Sequence, residues 1–200
     1  MTGIDPRREV TAMLDTNPVL DFLLTRRSRP AKLLAPPGPD RGELRRLLVA
    51  ALRVPDHGKL EPWRLIVLDG AAPARFAAAV RARAAETGAD PEKGALAFEQ
   101  APLVVAVIGA PRESDKVPAR EQVLSAGCVC LGLLNAALAA GWGANWLTGW
   151  PAYDRDLLAG DLGLQGAEWL AGFVHIGSST ALPPERPRPD VESITTWTGA

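Results

Sequence analysis

An uncharged run from Val123 to Tyr153 dominates the pattern of hydrophobic and polar positions. Its first part, Ser125 to Gly141, is rich in Ala, Leu and small residues, which favours a helix. This part is apolar on every side, as expected of a helix buried all round. Arg120, Glu121 and Gln122 give the helix a polar start, and Gly141 and Gly143 are positioned to end it. The next segment, Ala144 to Trp150, has the aromatic and β-branched residues of a buried strand.

The run is long enough to raise the question of a membrane span, which needs about 20 consecutive apolar residues. Gly127, Gly132 and Asn135 interrupt it, and no basic cluster follows its far end, where Pro151 and Asp154 come next. We therefore interpret the run as a core helix whose small residues let a neighbour approach closely. That neighbour could be a partner helix, a sheet or a flat ligand.

The spacing of apolar residues predicts further elements before and after this run. Asp5-Pro6 and Asn17-Pro18 combine a capping residue with a proline that fits the first helical turn. Asp40 is the predicted N-cap of a helix over Gly42 to Arg53. Leu103 to Ala110 is a continuous apolar run between two prolines, which is typical of a central strand.

The remaining elements follow from the same patterns. Strands are predicted at Arg64 to Gly70 and Trp169 to Gly177, and helices at Ala71 to Glu86, within Thr87 to Gln100 and at Asp154 to Ala159. About four strands therefore alternate with five or more helices. The connections are long enough for parallel crossovers, and a mixed sheet fits equally well.

Composition indicates one ordinary globular domain. The chain has 200 residues, a net charge of −1 and 47% hydrophobic residues. Acidic and basic residues balance, so no electrostatic surface for nucleic acid is predicted. The N-terminus lacks the apolar core of a signal peptide, and Cys128 and Cys130 point about 200° apart on a helix. We therefore expect a cytoplasmic protein with two buried, inert thiols.

Motifs of the common catalytic chemistries are absent from the sequence. It contains no Walker A loop, GxSxG elbow, HExxH motif or GxGxxG fingerprint. Two histidines are too few for a His-rich site, so no metal is expected. His175 lies in an alternating strand, where a structural role beside a satisfying neighbour is the better interpretation. His57 lies in a polar loop before Pro62-Trp63; such residues are often functional, and a loop that caps the next element is the alternative.

Basic residues indicate a second candidate site. Arg26 and Arg27 end a helix predicted over VLDFLLTRR, and Ser28 follows at the junction with a loop. Two guanidinium groups with a hydroxyl suit a phosphate. A solvated helix end would have the same composition. Arg186 and Arg188 lie in the Pro-rich segment after Ser178 and could close over the same anion or keep an extended tail soluble.

Four segments stand out in the order LLTRRSRPAKL, ALRVPDHGKLEPWRLIVLDG, SAGCVCLGLLNAALAAGWGANWLTG and GFVHIGS. In this order they resemble the FMN-dependent nitroreductase family, and especially its minimal members. The resemblance covers roughly Asp21 to Ser179 and is most specific in the PDHGK-x-x-PW block. It implies an α+β fold with a mixed central sheet flanked by helices, and an intertwined homodimer with two FMN sites at its interface. An N-terminal extension (1–17) would precede a single FMN-binding domain (18–200) that ends in an extended tail (180–200).

The same resemblance implies roles for individual residues. Arg26, Arg27 and Ser28 are expected to hold the phosphate and ribityl groups of FMN, with Arg188 as a further phosphate partner. Arg53 and His57 would act from the other subunit, near the isoalloxazine. The segment expected to line the flavin is Trp146, Leu147 and Thr148. The segment expected to meet the nicotinamide cofactor is Ala136, Ala137, Leu138, Ala139, Ala140 and Gly141. Leu147 stands where some relatives have a polar or basic residue, so a side-chain hydrogen bond is not expected there.

The implied activity is a ping-pong oxidoreduction. NADH or NADPH reduces FMN and leaves, and a nitroarene, quinone or activated alkene then occupies the same place. Because the flavin supplies the redox chemistry, the protein needs no nucleophile or acid–base dyad. The alternatives are a flavin-binding or flavin-delivery protein without efficient turnover, an enzyme of the same fold that fragments or dehalogenates its substrate, and a structural protein without cofactor.

Overall fold

A computed structural model describes residues 17–179 and 183–199, which form seven α-helices and one four-stranded sheet. The helices are α1 Pro18–Thr25, α2 Arg41–Ala51, α3 Ala72–Thr87, α4 Pro91–Gln100, α5 Ala119–Ala139, α6 Arg155–Leu162 and α7 Val191–Ile194. The strands are β1 Trp63–Leu68, β2 Leu103–Gly109, β3 Gly143–Leu147 and β4 Trp169–Gly177. Short 3₁₀ turns occupy Ala31–Leu33, His57–Lys59 and Trp150–Ala152.

The predicted caps begin their helices as expected. Asn17 Oδ1 accepts hydrogen bonds from the backbone N–H groups of Val19 (3.0 Å) and Leu20 (3.1 Å). Asp40 and Glu43 form a reciprocal capping box at the start of α2, with distances of 2.8 and 2.9 Å. Helix α2 ends at Ala51, two residues earlier than predicted. The Asp5-Pro6 prediction lies outside the described residues.

The sheet has the strand order β1-β2-β4-β3, and every neighbouring pair is antiparallel. The α+β fold is confirmed and β2 is a central strand, but the expected mixed or parallel pairing is wrong for the described strands. Two helices, α3 and α4, separate β1 from β2 and reverse the chain direction. A single helix joins β2 to β3, and β4 lies between these two strands, so they never pair.

Each face of the sheet has its own hydrophobic core. On one face, α3, α4 and α6 pack around Phe76, Phe98 and Phe173, whose ring centroids lie 4.8–5.5 Å apart. On the other face, α2 and α5 pack around residues such as Leu47 and Leu133. Strand β2 is buried along its whole length because it contributes to both cores.

Helix α5 begins at Ala119, one residue before the predicted polar start at Arg120, and ends at Ala139, two residues before Gly141. By length and composition alone it could cross a membrane, yet one side of it packs on the sheet and on α2. Gly132 makes that packing possible, since a Cβ atom there would lie 2.9 Å from the Ala51 carbonyl oxygen. The strand that follows is shorter than predicted: it ends at Leu147, and Gly149 (φ 71°) then starts a 3₁₀ turn.

The two cysteines lie on different sides of α5, as their spacing predicts. Cys130 is buried in the core, and this burial raises the pKa of its thiol to about 12. Cys128 is only half-buried and lines a small cavity beside His57. The expectation of two buried thiols is therefore wrong for Cys128.

His175 is fully buried on the face of β4 that contacts the aromatic core, with the ring of Phe98 at 4.9 Å. In the described part of the chain, neither ring nitrogen has a partner with hydrogen-bond geometry. The neighbour of the imidazole is therefore an aromatic ring instead of the expected polar group. Burial lowers the pKa of His175 to about 4, and the nearby backbone of Ala97 offsets only part of this effect.

We expect His175 to make the fold sensitive to acid. An unfolded chain binds a proton at this residue near its ordinary pKa of 6.5, whereas the folded chain does so only near pH 4. The free energy of unfolding should therefore fall as the pH decreases from about 6.5 towards 4, by up to about 1.4 kcal/mol per pH unit. Denaturant titrations of His175→Leu should lack this component, and His57→Gln, which changes the exposed histidine, should retain it. An unchanged pH slope in His175→Leu would contradict the prediction.

Candidate functional site

The predicted phosphate-binding segment leaves α1 and runs along the edge strand β3. Arg26 caps the end of α1 in an extended conformation, and the Arg29 backbone N–H donates to the Ala144 carbonyl (2.8 Å). Arg26 Nη2 donates to Ser28 Oγ (3.1 Å). The hydrogen bond from Arg29 attaches the arginine-rich segment to the edge of the sheet.

A cavity of about 260 Å³ lies beside this segment and collects several of its cations. Arg26, Arg27 and Arg29 line it together with Ser179 from the end of β4. Arg26 Nε and Ser179 Oγ are buried and have no hydrogen-bond partner among residues 17–179 and 183–199. Buried donors of this kind normally have partners, so the cavity has the donor groups expected of an anion-binding site.

The C-terminal tail returns to the same cluster. Arg27 donates to the Pro184 carbonyl and pairs with Glu185 (3.3 Å), and Arg188 pairs with Glu185 at 2.9 Å. The pKa of Arg26 is lowered, first by burial and then by the positive charges of Arg188 and Arg27. Arg188 therefore lies close enough to act on the predicted anion site.

The three residues predicted to line the flavin follow along β3, away from the arginine cavity. The Trp146 indole donates to the Ala171 carbonyl (3.3 Å) and lies across Gly172, where a Cβ atom would be 1.9 Å from its Nε1. The side chains of Trp146 and Leu147 pack against opposite cores. An edge strand has one row of unpaired backbone groups, so β3 offers a flat ligand its backbone edge and Thr148.

The segment predicted to meet the nicotinamide cofactor contacts two adjoining cavities. Leu138 and Gly141 line the arginine cavity, while Ala136 and Ala139 line an apolar groove of about 520 Å³ between α1 and α5. Phe22 of α1 borders both. Ala140 is exposed just after α5, whereas Ala137 is fully buried, so its methyl group belongs to the core.

The loop that contains His57 is held rigidly by α5 and by its own backbone. Asp56 accepts from the N–H groups of Leu60 (3.1 Å) and Glu61 (2.8 Å), and Ser125 Oγ donates to the Pro55 carbonyl (2.8 Å). His57 Nδ1 lies 2.6 Å from Glu121 Oε2. Arg53 and His57 themselves are exposed.

Backbone strain is concentrated in this loop. Gly58, Lys59 and Glu61 have φ values of 74°, 54° and 46°, and the latter two are the non-glycine residues with positive φ in the described part of the chain. Such conformations are costly and persist where the surroundings hold them, often at functional sites. The PDHGK-x-x-PW block, on which the resemblance is most specific, thus also contains these positive-φ residues.

Within one chain, the structure does not bring the two predicted halves of the site together. Glu121, beside His57, and Leu138, beside the arginine cavity, lie 17 residues apart on α5. At 1.5 Å per residue this corresponds to roughly 25 Å. One small cofactor cannot contact both ends of α5 in a single subunit.

Three residues of the site were not identified from the sequence. Arg29 directly follows the predicted trio and could have been included with it as a further cation. Glu121 begins the long helix, and only the fold brings it to His57. Ser179 has no sequence signal, because its relevance comes from an unpartnered hydroxyl at the end of a strand.

Known proteins share both the sequence pattern and the fold. The Escherichia coli K12 protein YdjA, which its name assigns to the NAD(P)H nitroreductases, is 33% identical over 162 residues, covering 80% of this chain and 87% of YdjA. A Haemophilus influenzae protein, also named as an NAD(P)H nitroreductase, is 38% identical over 134 residues, covering 65% of this chain and 72% of the Haemophilus protein.

Solved structures extend the comparison to the fold. A nitroreductase-like family protein from Bacillus cereus has a TM-score of 0.74 at 20% identity, covering 92% of this chain and 98% of its own. A point mutant of the FMN and NADPH-dependent nitroreductase NfnB from sphigopyxis sp. strain HMH has a TM-score of 0.70 at 20% identity, covering 90% and 99%. The model of the nitroreductase family matches residues 23–178. This match spans most of the chain and includes both halves of the site, so the chain belongs to the nitroreductase family.

Proposed function

We propose that this member of the nitroreductase family is an FMN-dependent NAD(P)H oxidoreductase that passes electrons to small electron-poor acceptors. The acceptors are nitroarenes, quinones or activated alkenes, and the mechanism is ping-pong. The observation that supports this most directly is the arginine cavity, which has two buried, unpartnered polar atoms beside an open strand edge.

The residues of the cavity fit the phosphate of FMN. Arg26 Nε and Ser179 Oγ are donors that find no acceptor within the described residues, and Arg29 adds a further guanidinium group. Arg27 and Arg188 share the single carboxylate of Glu185, so positive charge exceeds negative charge around the cavity. Phosphate oxygens would satisfy the donors and relieve the repulsion between the arginines.

The strand edge fits the ring system of the same cofactor. From the arginine cavity, β3 extends past Trp146 to Leu147, and Thr148 follows it, so a flavin anchored by its phosphate can lie along the strand. When bound, FMN supplies the hydride acceptor and donor; the chain orients it and keeps water from one face. Ala136 and Ala139, which line the apolar groove beside the arginine cavity, are small and leave room for a nicotinamide ring.

We propose further that the active form is a homodimer with two composite sites. Apolar side chains are exposed on α1 and α5, including Val19, Leu23, Leu124 and Leu131, and the apolar groove lies between these helices. Apolar surface of this kind is typical of an obligate interface. Pairing two copies through α5 would let Arg53 and His57 of one subunit approach the flavin held by the arginine cavity of the other.

The proposed location is the cytoplasm. Cys128 and Cys130 are free thiols, which fits a reducing compartment. The YdjA and Haemophilus influenzae relatives are bacterial proteins named after the same reaction class, which supports turnover over mere flavin delivery.

We expect the purified protein to contain or take up FMN and to be reduced by NADH or NADPH. Under anaerobic conditions, adding either donor should bleach the flavin absorbance, and a quinone or nitroarene should restore it. A flavin that binds but is not bleached would indicate a flavin-delivery protein. Failure to bind added FMN would contradict the proposal altogether.

Arg26→Ala should weaken FMN binding by about tenfold or more, because a charge-assisted contact to phosphate is lost. Without cofactor the variant should unfold no more easily than the wild type, since burial and neighbouring arginines disfavour the charged form of Arg26. Fluorescence titration with FMN and thermal unfolding test both parts. Arg75→Ala, at an exposed position on α3, is the control. Unchanged FMN affinity in Arg26→Ala would contradict the assignment.

Leu131→Glu should convert the dimer to a monomer, because it places a charge within the exposed apolar surface of α5. Loss of the dimer should also lower FMN affinity, since each site needs both subunits. Sedimentation velocity measures the first effect and FMN titration the second. Leu96→Glu, an exposed leucine on α4, is the matched control and should remain dimeric. A wild-type protein that sediments as a monomer and binds FMN tightly would refute the composite site.

A further inference from the structure

The contact between His57 and Glu121 determines which nitrogen of the imidazole is free. Glu121 Oε2 lies 2.6 Å from Nδ1. A carboxylate accepts hydrogen bonds and does not donate, so Nδ1 bears the proton in this contact. Nε2 is then the ring atom that remains available to another partner.

The surrounding structure leaves the ring few alternatives. Ser125 holds the loop at Pro55, one helical turn from Glu121 on the same side of α5. On the other side of His57, Gly58 has a left-handed conformation, and a Cβ atom there would lie 3.2 Å from Val117 Cγ2. Asp56 accepts hydrogen bonds from the N–H groups of Leu60 and Glu61, so the loop is tied together across His57, and Glu121 holds the ring itself.

We propose that Glu121 is the positioning residue of His57: it holds Nδ1–H and leaves Nε2 free to face the isoalloxazine of FMN in the dimer. The identity of the ligand of Nε2 depends on the proposed function, whereas the geometry of the His57–Glu121 pair does not. The two side chains line a cavity of about 210 Å³ with Pro55, Leu124, Ser125 and Cys128. Leu124, which lines this cavity, belongs to the exposed apolar side of α5, where the second subunit is expected.

A purely structural role for Glu121 makes a different prediction. A carboxylate in the first turn of a helix stabilises the helix through its interaction with the helix dipole, whatever its side-chain partner is. Glu121 lies in the first turn of α5. A structural residue would affect folding and would not depend on His57. A positioning residue acts through His57 and should lose its effect when the imidazole is absent.

The first test measures the tautomer in the cofactor-free protein. The chain has two histidines, so His175→Leu leaves the signals of His57 alone in ¹⁵N–¹H correlation spectra of the imidazole rings. In the neutral ring we expect a protonated Nδ1 and an unprotonated Nε2. Glu121→Ala should shift the ring towards the Nε2–H tautomer, whereas Glu121→Gln, whose amide oxygen still accepts, should preserve Nδ1–H. A protonated Nε2 in the neutral ring of the parent protein would overturn the proposal.

The second test is a double-mutant cycle on FMN affinity. Glu121→Ala should weaken FMN binding by about three- to tenfold when His57 is present and by less than about twofold in the His57→Ala background. Equal losses in the two backgrounds would overturn the positioning role. Glu113→Ala, which removes another exposed carboxylate from the preceding loop, should leave both affinities unchanged. If the wild type binds no FMN, the proposed function fails, and the spectra still decide how Glu121 and His57 are paired.

Discussion

The close approach of helix α5 to helix α2 at Gly132 is the packing contact on which the site depends. Any side chain at position 132 would collide with the Ala51 backbone, and protein cores absorb such a collision poorly. With glycine there, α5 lies flat on the sheet between α2 and β4. The apolar groove with α1 lies at the same place, since Ala50 and Gly132 both line it.

Helix α5 also connects the two halves of the site physically. Its first turns hold the His57 loop through Glu121 and Ser125, and its last turn borders the arginine cavity. Electrostatic repulsion among the arginines and strain in the His57 loop are both local costs, and each lies where a ligand would compensate for it. On the opposite face of the sheet, the aromatic core contains one comparable feature among its described residues, the unpartnered ring of His175.

Much of the fold and part of the site could be predicted from the sequence, because helices and strands follow local periodicity. The caps at Asn17 and Asp40 and the strand Trp169–Gly177 agree with the structure. Antiparallel pairing could not be predicted, because the position of β4 between β2 and β3 is a long-range property. The roles of Glu121 and Ser179 were missed for a similar reason: each depends on a neighbour more than 60 residues away or on an orphaned atom.

The length of α5 has a consequence for how this protein can vary. Each residue of an α-helix adds 1.5 Å of length and about 100° of rotation. The number of residues between Glu121 and Leu138 therefore sets both the distance and the relative orientation of the two ends of the site. Inserting or deleting one residue there would turn the arginine end away from the sheet while the His57 end stayed in place. Changes of length can therefore accumulate in the loops before α5 and after β3, whereas the register of the helix itself must be kept.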